Sequence, residues 1–152
     1  MPGPLRYWED IELDKVYELG SRVMTEAEIV AFGLEFDPQP IHVDKKAAEA
    51  SMFGGLIASG WHTGAAMMRL MVDGYLNPET SLGSPGLDEI RWHKPVRAGD
   101  TIHVSVRAYE KTPSRSKPHI GVIRNEWTVR DQNGEPVMTV RGMGMFRRRP
   151  AA

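Results

Sequence analysis

The segment Gly60 to about Val72, GWHTGAAMMRLMV, reads as a helix with a single charge, Arg69, before Asp73. A helix that is apolar on nearly every side has to be covered on nearly every side. The cover follows in the sequence, because from Gly83 onward the chain changes to strand patterns. GLDEIRWHKPV alternates before the turn RAGD, and TIHVSVRAYE places Ile102, Val104 and Val106 on one face. GVIRNEWTVRD and EPVMTVRGMGMF are joined by DQNGE, a hairpin loop carrying Asn-Gly. With a strand near Val16 to Val23, about five strands are expected. A helix-rich start followed by strands predicts an α+β fold, a curved antiparallel sheet wrapped around one long helix. Met67, Met68 and Met71 are expected to fill its core. Such a sheet leaves edges, so dimerisation by edge pairing is expected.

A length of 152 residues suffices for one domain and is short for two, and no internal repeat divides it. The net charge of −1 gives no bulk attraction to nucleic acid or to an anionic membrane. Arg147, Arg148 and Arg149 read as a solvated tail. The chain has no cysteine, which excludes disulfides, thiol catalysis and thiolate metal sites. Trp8, Glu9 and Asp10 stand where a signal peptide would be apolar, and no apolar run approaches membrane-spanning length. A soluble, cytoplasmic protein is expected.

Ahead of the long helix, Thr25 to Glu28 has the pattern of a capping box, in which Thr25 accepts from the Glu28 N–H and the Glu28 carboxylate reaches back. Ile29, Phe32, Gly33 and Phe36 follow at helical spacing, and Asp37-Pro38 ends the run. A short helix is expected near Lys45 to Ser51. Between the two lies FDPQPIHVD, residues 36–44. Pro38 and Pro40 lack N–H groups and bias their predecessors toward extended backbone, so this stretch is expected as a stiff, non-helical loop. Such a loop can hold Asp37 and His42 at a fixed separation, and a carboxylate and an imidazole sharing one water suit general acid–base chemistry. The same two residues can equally serve as caps or surface groups. Farther on, FGGLIASG runs into the long helix. Ser59 is placed to cap it, and Gly60 offers a bare amide in the first turn that could bind a carbonyl or oxyanion. A plain cap and a close-packing glycine would give the same letters.

Taken together, Asp37-Pro38-Gln39-Pro40-Ile41-His42, Ala47, and Phe53 to Gly60 resemble the MaoC-like dehydratases and (R)-specific enoyl-CoA hydratases. Their signature runs Asp, any residue, Asn, Pro, an aliphatic residue and His. A later aliphatic-Ala-(His or Ser)-Gly then enters the central helix. GLDEIRWHKPVRAGDTI, residues 86–102, resembles the family's next strand and turn. The resemblance covers about residues 10–146 of a single domain spanning 1–152. It implies a hot-dog fold and a homodimer or assembly of dimers. It also implies a lyase of fatty-acid metabolism that hydrates a trans-2-enoyl-CoA reversibly to an (R)-3-hydroxyacyl-CoA. Asp37 and His42 match the pair that holds the water, and Gly60 matches the residue whose N–H polarises the thioester carbonyl. Gln39, Ser59 and Trp61 fall where substrate contacts are expected. The substrate is an acyl-CoA or acyl-carrier thioester, and no metal or other cofactor is implied.

Two letters depart from the pattern: Gln39 replaces the signature Asn, and Trp61 stands where Met or Leu is usual. Trp61 either lines the acyl pocket or packs on the sheet. Two other functions use the same fold, a hot-dog thioesterase and a non-catalytic acyl-CoA-binding protein. Thioesterases commonly carry a carboxylate on or just before the central helix, and here no acid precedes Asp73 on that helix. His62 is expected as a hydrogen-bonded core residue, and His93 and His103 as surface or interface groups. Arg91, Lys94 and Arg97 could meet CoA phosphates or form a solvated edge. Asp37, His42, Asp44 and His62 match no recognised metal motif.

Overall fold

The computed structural model describes residues 1–151. A short 3-10 turn, Trp8–Asp10, precedes β1 (Val16–Val23), α1 (Glu26–Phe36), α2 (Pro40–Val43), α3 (Lys45–Glu49) and α4 (Gly60–Gly74). Four strands follow: β2 (Gly86–Trp92), β3 (Thr101–Pro113), β4 (Ile120–Arg130) and β5 (Pro136–Arg147). All pairings are antiparallel, in the order β1-β3-β4-β5-β2, so β1 and β2 form the edges. This is the expected hot-dog arrangement of helix and sheet.

The inner face of the sheet follows the period-two pattern. Ile102, Val104, Val106 and Ala108 of β3 are almost fully buried, as are Ile123 and Val129 of β4 and Val140 and Phe146 of β5. Register shifts between Glu18 and Gly20, Leu87 and Glu89, Ala108 and Glu110, and Val129 and Arg130 interrupt all four ladders. Such bulges increase bend and twist, which lets a five-stranded sheet curl over a helix. The five residues Asp131 to Glu135 close the β4–β5 hairpin. Asp131 Oδ1 accepts from the N–H groups of Asn133 and Glu135, and Gly134 takes a φ of +79°.

α4 is less enclosed than its composition predicts. His62, Thr63, Ala66, Met67 and Met71 are buried against the core, whereas Trp61, Met68 and Val72 are exposed. A single curved sheet covers one side of a helix, and the second apolar stripe lies open beside the edge strand β2. Met68 is therefore not core filler. The N-terminal cap of α1 forms only in part. Thr25 Oγ1 accepts from the Glu28 N–H at 3.2 Å, but Glu28 Oε1 turns to Arg22 Nη2 at 2.8 Å instead of reaching back.

Candidate active site

FDPQPIHVD is more structured than its prolines suggest. Asp37 closes α1, its N–H donating to Gly33 O at 2.9 Å, and Pro38 prevents continuation. Pro40 does not keep the chain extended. It is the first residue of α2, where a missing N–H costs nothing and a fixed φ suits the helix. The expected non-helical loop is thus a single helical turn, and that turn carries His42 inward. Gly33 makes the approach possible, since a Cβ there would lie 2.7 Å from Val43 Cγ1 and 3.1 Å from His42 Cβ.

His42 is 5% exposed and held at both ring nitrogens. Nδ1 lies 2.7 Å from the Ile57 carbonyl oxygen, which can only accept, so Nδ1 carries hydrogen. Nε2 then faces Asp37 Oδ2 at 3.2 Å. The carboxylate is thus the partner that Nε2 meets inside the site. Asp37 is held below the usual 3.8 of an aspartate, first by the Gln39 amide, whose Nε2 donates to Oδ1 at 2.7 Å. The nearby Ser59 hydroxyl and the charge of His42 lower it further, against the opposing effect of burial. Gln39 uses its extra methylene to reach Asp37.

Ser59 precedes α4 as expected but makes no cap bond, and its buried Oγ has no hydrogen-bond partner among the described residues. Its hydroxyl lies beside Asp37, whose charged form it helps to favour. Gly60 opens α4, so its N–H belongs to the first turn, whose amides have no acceptor within the helix. Glycine is required there for packing as well. Trp92 of β2 lies over it, donating from Nε1 to Gly60 O at 3.1 Å, and a Cβ on residue 60 would come within 2.6 Å of that nitrogen. Trp61 meets Trp92 edge to face, with ring centroids 5.4 Å apart, while also lining the cavity. Trp61 thus packs on the sheet and also borders the cavity.

All six residues singled out in the sequence, Asp37, Gln39, His42, Ser59, Gly60 and Trp61, line one cavity of about 420 Å³. Trp92 lines it too and was not singled out, because a strand tryptophan reads as packing until its position over a helix tip is known, and His93, expected as a surface or interface group, lines it as well. His93 Nε2 lies 2.7 Å from Thr139 Oγ1, and His103 stays on the exposed face of β3. His62 differs from expectation: it is buried and stacked on Phe32 at 4.9 Å, but its Nδ1 has no partner, and burial pushes its imidazole below the ordinary range. Lys94 lines the cavity yet bonds Asp131 at 2.9 Å and Glu135 at 2.5 Å, and Arg91 pairs with Glu89. These two cations are thus engaged locally. Among the described residues no group of three or more His, Asp or Glu side chains gathers as a metal site, and no helix is long and apolar enough to cross a membrane.

A sequence profile of the MaoC like domain matches residues 11–130. A crystal structure of a MaoC-like dehydratase from Rhodospirillum rubrum superposes with a TM-score of 0.89 at 37% identity, covering 97% of this chain and 100% of the other. Protein MaoC of Klebsiella aerogenes is 34% identical over 108 residues, 70% of this chain, which spans about a third (32%) of that protein's length. The (R)-specific enoyl-CoA hydratase of Rhodospirillum rubrum is 28% identical over 116 residues, 73% of this chain and 75% of the relative.

Proposed function

The chain belongs to the MaoC-like domain family, and from that premise we propose that it hydrates a trans-2-enoyl thioester reversibly to an (R)-3-hydroxyacyl thioester. The observation that carries the reading is the contact at 3.2 Å between the buried His42 and the half-buried Asp37, in the same cavity as the tip of α4. A water held by the pair attacks C3, and its O–H proton passes to Asp37. The electrons of the C2–C3 double bond move toward the thioester oxygen, where the Gly60 N–H and the positive end of α4 meet the developing charge. His42 delivers the proton from Nε2 to C2, and the proton on Asp37 then crosses to Nε2 to restore the pair. Each group acts as acid in one direction and base in the other, so the same geometry serves dehydration. Ile57 O fixes the ring and keeps Nε2, not Nδ1, as the atom in use. The substrate is a CoA or acyl-carrier thioester, and the working unit is a dimer or assembly of dimers. The open stripe of α4 and the edge strand β2 support that assembly.

The direct test offers crotonyl-CoA and longer trans-2-enoyl-CoAs to the purified protein. Loss of the conjugated thioester absorbance without release of free thiol is expected. Thiol release would indicate a thioesterase instead, and tight binding with no turnover a non-catalytic acyl-CoA-binding protein.

The electrostatics of Asp37 give a pH signature. A carboxyl whose folded pKa is depressed keeps its base form below the usual 3.8, and it adds stability above that value that is lost as pH falls through the folded pKa. Gln39→Leu removes the first of the groups that lower it. The acid limb of kcat/KM is therefore expected to move to higher pH in this variant. An unmoved limb would remove Gln39 from the role.

A further inference from the structure

Two more cavities adjoin the site in succession along α4. One of about 190 Å³ shares Gly60, Trp61 and Trp92 with the first, and one of about 230 Å³ shares Met67, Met68 and Leu87 with the second. On the helix side the channel follows Gly60, Gly64, Met67 and Met71, three or four residues apart, which is one face of a helix. At 1.5 Å per residue that stripe is about 16 Å long. Gly64 keeps it open, since a Cβ there would meet nothing within 4 Å. The walls are largely apolar until the far end, where Asn125 and Trp127 of β4 interrupt the buried run of Ile123 and Val129. Trp127 is 5% exposed, lines the far cavity, and its Nε1 has no hydrogen-bond partner among the described residues. An indole N–H can only donate, and a desolvated donor with no acceptor is costly to keep. Beside it, Asn125 Oδ1 receives only a long bond of 3.5 Å from the buried Tyr75 hydroxyl.

We propose that the far cavity is a distal recognition site for a hydroxyl or carbonyl oxygen carried on the substrate's acyl chain, and that Trp127 donates to it. The assignment rests on the hydratase reading above and extends it to a substrate class, acyl thioesters with an oxygen far from the thioester. An extended chain advances roughly 1.2 Å per bond, as backbone spacing shows, so the Met67–Met71 level of the far cavity lies roughly nine to fourteen bonds beyond Gly60. A wholly apolar chain would reach the same place and leave the indole N–H buried and unanswered.

The test compares trans-2-hexadecenoyl-CoA with the same thioester carrying a keto oxygen at C10, C12 or C14. In the unmodified protein at least one oxo-thioester is expected to exceed the plain chain in kcat/KM by tenfold or more. Trp127→Phe, which keeps a ring and removes the donor, is expected to bring that ratio close to one. Equal efficiency for all four thioesters in the unmodified protein would overturn the proposal, with a buried water then satisfying Trp127 instead. A ratio that survives Trp127→Phe would overturn it too. Should that variant not fold, Gly64→Leu fills open space in the channel. Its turnover of the favoured oxo-thioester relative to crotonyl-CoA is expected to fall at least tenfold, and an unchanged ratio would sink the idea. Absence of crotonyl-CoA turnover in the unmodified protein would count against the hydratase reading alone. Calorimetric affinities for the four thioesters then supply the same comparison, and equal affinities would overturn the distal site.

Discussion

Asp37→Asn is expected to lower enoyl-thioester hydration by about 10²–10⁴-fold, the range associated with a positioned acid or base. The substitution is nearly isosteric. Asn keeps an oxygen for the Gln39 amide to donate to, so it removes the base and its charge while leaving the shape of the α1–α2 corner intact. Changes in binding should be small and the loss should lie in kcat. His42→Ala should cost about as much, and the double variant little more, because two groups that pass one proton between them fail as a unit. Asp37→Asn is the sharper instrument, since His42→Ala also strips the Ile57 carbonyl of its donor and opens a buried hole. Steady-state kinetics with circular dichroism as a check of folding decide the matter. A folded Asp37→Asn protein with full activity would end the assignment of this pair.

Gly60→Ala is the second large effect. In most helices the added methyl helps, by roughly 0.5–1 kcal/mol. Here it would enter the Trp92 indole, so either the indole swings off and loses its bond to Gly60 O, or the tip of α4 retreats from the cavity. Overpacking of this kind costs about 1–3 kcal/mol, and an oxyanion donor moved out of place costs about 10²–10³-fold in kcat. The expected result is a protein only modestly less stable but severely impaired in turnover. Trp92→Ala combined with Gly60→Ala separates the causes. Recovery of turnover identifies the steric clash, and continued loss places the defect at the amide itself. Thermal unfolding and kinetics on the three proteins measure both quantities.

Most of the sheet was legible in the sequence, because each strand buries one face and its alternation is local information. Ile102, Val104 and Val106 could be assigned to the core from their spacing alone. The open side of α4 could not be read that way. Trp61, Met68 and Val72 are as apolar as Met67 and Met71, and composition does not say which stripe of a helix a single sheet reaches. In the site, the spacing of Asp37, His42 and Gly60 together with the family resemblance marked three positions that fall in one cavity. The helical turn at Pro40 was hidden, because proline is as compatible with the first residue of a helix as with an extended loop. Trp92 was hidden for another reason. Its role depends on lying 32 residues away from Gly60 in sequence and directly over it in space.

Residue 57 receives little notice as an isoleucine, yet its backbone is used on both sides. Its N–H donates to Ile41 O at 3.1 Å and its carbonyl accepts from His42, while the next amide, that of Ala58, donates to Val96 O on the segment after β2. The proton-handling corner and the tip of α4 are therefore riveted together within three residues of Gly60, with α3 and the glycine turn looped out between the two fastenings. Local opening that separates the two halves of the site has to break these hydrogen bonds. The looped segment leaves and returns at the same place, and it stays tied to the site, since Ala48 is fully buried beneath it and Phe53 lines the cavity.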